Sequence, residues 1–199
     1  MAFLGGQVTL NPIPHIQREP FGMVIIPWIS YAAYGWMMGW ASAPYDPHWA
    51  SAYPRRAAWM ALSGPGANLL LVIASAVLIH AGIAAGWFTP PESIVFTRVV
   101  EAGTDGPMKG LAILVSIFFS LNLVLFVFNM IPIAPLDGRA WMELLLKGDA
   151  LYKYRLLMMH PSLRFFGIFI AWMIMRFIYG PIFTLALNGL YLFHGTSYG

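Results

Sequence analysis

Few side chains in this sequence can do chemistry, and one stands out by position. Asp137 closes the segment Asn129-Met130-Ile131-Pro132-Ile133-Ala134-Pro135-Leu136-Asp137-Gly138, directly after a long apolar stretch. A carboxylate beside an apolar span is expensive to bury, so such residues face a polar cavity or bind an ion. The two prolines should unwind the helix end and leave backbone groups and the carboxylate aimed at one spot. The alternative is structural, since Asp is a favoured N-cap and a helix could begin at Gly138. Asn68 and Asn129 lie inside apolar tracts, where an amide either bonds a neighbouring helix or meets a substrate backbone or oxyanion. His15, in Asn11-Pro12-Ile13-Pro14-His15, is held by a Pro-rich segment, and reads as a structural histidine or a binding residue.

Other chemistries are excluded or unsupported. With no cysteine, disulfides, thiolate nucleophiles and Cys-ligated metals are ruled out, leaving His, carboxylate or backbone ligands for any metal. The five histidines are His15, His48, His80, His160 and His194, and no two are spaced as a helical metal pair. His80 reads as interfacial and His194 as part of a frayed tail. There is no G-x-S-x-G, P-loop or dinucleotide fingerprint. A net charge of +3 without basic–aromatic clustering argues against nucleic acid as a partner.

The elements that must position these residues are apolar spans. Of 199 residues, 59% are hydrophobic and 10% charged, against about 25% charged in soluble domains, so the bilayer is the natural solvent. Four tracts lack acidic and basic residues over spanning lengths: Glu19 to Asp46, Arg56 to Glu92, Lys109 to Asp137, and Phe165 onward with Arg176 as its only charge. The second and third are the clearest. The first contains Pro27, Gly35 and Gly39, and crosses with a kink, lies in the interface, or re-enters on one side. In the fourth, Gly180-Pro181 favours a kink or a break into two pieces. Arg176 either snorkels to an interface or pairs with Asp137 or Glu143. The expected fold is an all-α integral membrane protein, a polytopic bundle of about four apolar segments in a single domain over 1–199, after a short extended N-terminal segment. Lys and Arg in the short loops place residues 46–56 and 138–164 in the cytoplasm and 89–109 outside. Residues 139–160 suit helices lying on the cytoplasmic face.

Three motifs together resemble the site-2 protease family of intramembrane zinc metalloproteases. Val8-Thr9-Leu10-Asn11-Pro12-Ile13-Pro14-His15-Ile16 looks like the LTLNPxxHI segment of that family, and Ser63-Gly64-Pro65-Gly66-Ala67-Asn68 like its GPxxN helix. Residues 129–138 look like its N-x-x-P-x-x-P-L-D-G signature. The run Gly39-Trp40-Ala41 with Pro44, then Asp46-Pro47 and Arg55-Arg56, is similar to the connector of the compact branch. Arg139 departs from the pattern, which commonly has a second Gly there.

The resemblance implies one zinc ion, held by two histidines of an HExxH helix and by Asp137, with Asn129 steadying substrate or oxyanion and Asn68 and His15 binding or structural. It implies proteolysis of a transmembrane protein substrate among membrane lipids; a small chain without soluble appendages suits a prokaryotic inner membrane. No HExxH occurs in residues 1–199; in the family that helix precedes the LTLNP segment, so the expectation is a start upstream of Met1. A non-catalytic relative that binds membrane substrates is the alternative, and an unrelated transporter or scaffold is a third.

Overall fold

The computed structural model describes residues 11–34, 39, 47–196 and 198 of the chain. It is an all-α membrane protein whose chain falls into two compact units, Met1–Pro54 and Arg55–Gly199.

In the first unit, Asn11 caps α1 (Pro12–Arg18), its side chain accepting from the Ile13 N–H at 3.0 Å. Asn and a following proline are good starters because neither wastes a helix donor. The chain is therefore helical from Pro12; the rest of the expected extended segment, with Val8-Thr9-Leu10, lies outside the described residues. A π-helical turn, Phe21–Ile25, leads into α2 (Ile26–Tyr34). Pro27 explains the wide turn, since its ring cannot accept the tight geometry of an α-helical interior. The apolar stretch Phe21–Ala33 is shorter than the ~20 residues of a span. A further short helix, α3, covers Pro47–Ala52. Most of the connector motif at residues 40–46 lies outside the described residues.

The second unit holds three helices long and apolar enough to cross a membrane: α4 (Pro54–Ala84), α5 (Pro107–Asn129) and α8 (Pro161–Tyr191). At 31, 23 and 31 residues, and ~1.5 Å per residue, each exceeds the ~30 Å hydrocarbon core. Pro181 lies inside α8, which continues unbroken, so the expected break at Gly180-Pro181 does not occur. Helix continuity keeps the remaining backbone groups paired, which lipid demands. On α5, Ala112, Ser116 and Ser120 form a small-residue row spaced four apart, all buried, of the kind that lets helices approach closely.

The segment joining α4 to α5 folds back over the bundle. Its strands β1 (Phe88–Thr89) and β2 (Glu101–Ala102) pair antiparallel, and the Phe88 ring fills the space that glycine leaves at Gly82. Val99 and Val100 are almost wholly buried, and their backbone is satisfied by side chains from two spans. Ser116 Oγ accepts from the Val99 and Val100 N–H groups at 3.0 and 3.1 Å, while Tyr191 Oη donates to the Val99 carbonyl at 2.7 Å. Ser116→Ala would strip two buried donors of their acceptor at once. The expected loss is about 2–3 kcal/mol of unfolding free energy, measurable as a lowered Tm in detergent.

After α5, residues 130–138 form a compact loop, followed by α6 (Arg139–Leu145) and α7 (Gly148–Met159). The ion pair Glu143–Arg155, at 3.0 Å, ties α6 to α7. Arg176 is exposed on α8 and has no ion pair among the described residues, so of the two alternatives the pairing with Asp137 or Glu143 is absent.

Candidate functional site

The loop carrying Asp137 is held from several sides. Trp141 Nε1, on α6, donates to the Met130 carbonyl at 2.9 Å, and Tyr154 Oη, on α7, donates to the Pro132 carbonyl at 3.0 Å. The Ala134 N–H donates to Met158 Sδ at 3.3 Å, and Gly167 of α8 lies against the Ala134 carbonyl. The Ala134–Pro135 bond is cis. Two prolines leave this loop short of N–H donors of its own, so its carbonyls need donors from elsewhere, and tryptophan and tyrosine supply them. Residues 139–160 are thus a brace for the loop as well as a connector.

Gly138 closes the loop. A Cβ there would overlap the Ile131 carbonyl and stand 2.6 Å from the Met130 oxygen. This close return sets Asp137 beside the end of α5, where Asn129 is the last helical residue. The Asp137 carboxylate in turn meets α4, with Oδ2 3.3 Å from where a Cβ on Gly64 would stand. The S-G-P-G-A-N helix and the P-L-D-G loop therefore touch, and Gly64 is the point of contact. Asn68 follows one helical turn later on α4, on the same face as Gly64.

Asp137 does not act as the helix cap that sequence allowed. The capping position of α6 is Gly138, without a side-chain bond; only the Asp137 backbone carbonyl accepts, from the Ala140 N–H at 2.9 Å. The side chains of Asp137, Asn68 and Asn129 are each half-buried. None has a hydrogen bond or ion pair within the described residues, and an unpaired amide in apolar surroundings is costly. Among the described residues, the helix–helix glue reading of the two amides has no partner. His15 is half-buried in α1, within the first unit.

Burial pushes the Asp137 carboxyl above its ordinary value of 3.8, against a smaller opposing pull from Arg139. In metal-free protein the unfolded chain therefore ionises first as pH rises above 3.8, and stability falls until the folded carboxyl has also ionised. Asp137→Asn removes this cost. Its Tm should equal that of the wild type below the window and exceed it above, in thermal melts across pH. Equal pH profiles for both proteins would contradict the burial argument.

Among the described residues no group of three or more His, Asp or Glu side chains converges on one point. Asp137 supplies one carboxylate, and these residues by themselves do not make a zinc site, which needs three or four protein ligands. The sequence singles out Asp137, the two amides and the motif that contains Gly64; Trp141, Tyr154 and Gly167, and the contact made at Gly64, depend on approaches across the fold that no local pattern signals.

No family model and no solved structure matches this chain. Among curated proteins it is similar to one from Bacillus subtilis (strain 168) named "Putative zinc metalloprotease YwhC", with 31% identity over 136 residues. That match covers 67% of this chain and 51% of the relative. The chain spans about half the length of the relative it matches, and what it resembles is a protein named for zinc-dependent proteolysis.

Proposed function

We propose that this chain is part of an intramembrane zinc metalloprotease of the site-2 type, hydrolysing peptide bonds of membrane-embedded substrates. Asp137 contributes one carboxylate ligand to the metal, and the other ligands and the general base lie outside the described residues. The single observation that carries this reading is the meeting of Asp137 with Gly64, which joins two of the three motifs at one place. Three half-buried polar side chains without partners among the described residues, Asn68 on α4, Asn129 at the end of α5 and Asp137 on a loop braced by α6, α7 and α8, suit a site that binds charge and substrate. Asn68 and Asn129 are the candidates for hydrogen-bonding an unwound substrate backbone. The likeness to a named zinc metalloprotease points the same way. In this reading residues 138–164 face the cytoplasm, in keeping with their basic side chains.

The test is cleavage of a single-span substrate in liposomes by the protein expressed from its full reading frame. Cleavage within the span, stopped by a chelator and restored by zinc, is the expected result. Substrate capture without cleavage at any metal concentration would favour the non-catalytic relative.

A further inference from the structure

His80 and His194 are 114 residues apart in sequence, yet His80 Nδ1 and His194 Nε2 stand 3.1 Å apart. Their rings are nearly parallel, with centroids 5.2 Å apart and 20° between planes. His194 is not in a frayed tail, as sequence suggested, but in a 3-10 turn, Leu192–His194, that continues α8. We infer that His80 and His194 form a two-imidazole site for a borderline divalent transition metal, Zn2+, Ni2+ or Cu2+, at the Ala84 end of α4.

The geometry fits the ligand class. Two imidazole nitrogens bound to one tetrahedral zinc at ~2.0–2.1 Å stand about 3.3 Å apart, so the nitrogens separate only slightly while each ring turns by roughly 35° to aim its lone pair at a metal off the N···N line. Imidazole suits zinc, copper and nickel, and disfavours magnesium and calcium, which take oxygen. The site is also preorganised. Tyr191 is fully buried and anchored by its hydroxyl on Val99, and its ring meets His194 edge-on at 6.0 Å between centroids. Beyond the turn, Asn188 holds both backbone groups of Tyr198, at 2.9 and 3.1 Å. Both histidines are half-exposed, so water reaches the pair and completes the coordination. A metal here replaces one N–H···N bond and staples the end of α8 to the end of α4. The site is separate from Asp137: His80 lies sixteen residues beyond the Gly64 contact on α4, about 24 Å along the helix.

The experiment is Cu2+ titration of the untagged chain in detergent, followed by electron paramagnetic resonance. The expected result is one tightly held Cu2+ per chain with coupling to two nitrogens, weakened at least tenfold in His80→Gln and in His194→Gln. Asp137→Asn should bind Cu2+ like the wild type, which separates this site from the proposed protease centre. His194 lies beyond the long helices, so its variant decides the matter even if His80→Gln does not fold. No stoichiometric Cu2+, binding unchanged in the histidine variants, or binding lost in Asp137→Asn would each overturn the inference.

Discussion

Gly138→Ala is expected to cost more than ~3 kcal/mol of stability, and to displace Asp137 even in the fraction that folds. The added Cβ would overlap the Ile131 carbonyl and crowd the backbone of Met130. Those atoms are main chain, on a loop whose carbonyls are already engaged by Trp141 and Tyr154, so they have nowhere to move. The requirement is for space, since Gly138 has φ −58° and ψ −23°, which any residue adopts. Gly167→Ala should act similarly, because its Cβ would run into the Ala134 carbonyl on the other side of the same loop. Gly66 is the control: a Cβ there meets nothing within 4 Å, and alanine in a helix is favoured over glycine by up to ~1 kcal/mol. Thermal melts of the three variants in one detergent check the contrast. A Gly138→Ala protein as stable as Gly66→Ala would contradict the described loop.

On the proposed protease reading, Asp137→Asn is expected to abolish proteolysis by the protein expressed from its full reading frame, by more than about 100-fold in kcat/KM. Loss of an outer-shell partner alone costs ~10–100-fold, and a ligand should cost more. The same substitution should leave the fold intact or stabilise it when metal is absent, because it removes a carboxylate that burial disfavours. Activity and stability thus move in opposite directions. That divergence marks a residue kept for function, and a merely structural Asp137 would lose both together. Rates against a single-span substrate, read beside Tm, measure it.

Much of this was legible in the sequence, for identifiable reasons. The spans were legible because lipid imposes a length and a composition that α4 and α5 meet without interruption. Asp137 was legible because charge is scarce: a chain with 8 acidic residues has little reason to place one beside an apolar helix. The continuity of α8 through Pro181 was not, because local propensity argues for a break and only the apolar surroundings override it. Nor was the role of Gly64, which in sequence is one small residue among several and acquires meaning only when the loop after α5 returns to α4. The pairing of His80 with His194 spans 114 positions and leaves no local pattern at all. Local rules read helices well; contacts between distant segments are set by packing, which no window of sequence contains.

The central claim is that Asp137 serves as a metal ligand, and zinc content tests it most directly. The protein expressed from its full reading frame would be purified untagged, as wild type and as Asp137→Asn, alongside a His80→Gln, His194→Gln double variant. Zinc per chain would then be measured by plasma emission after exhaustive washing. The account predicts that Asp137→Asn lacks one zinc that both the wild type and the double histidine variant retain. Equal zinc in Asp137→Asn and wild type would contradict it.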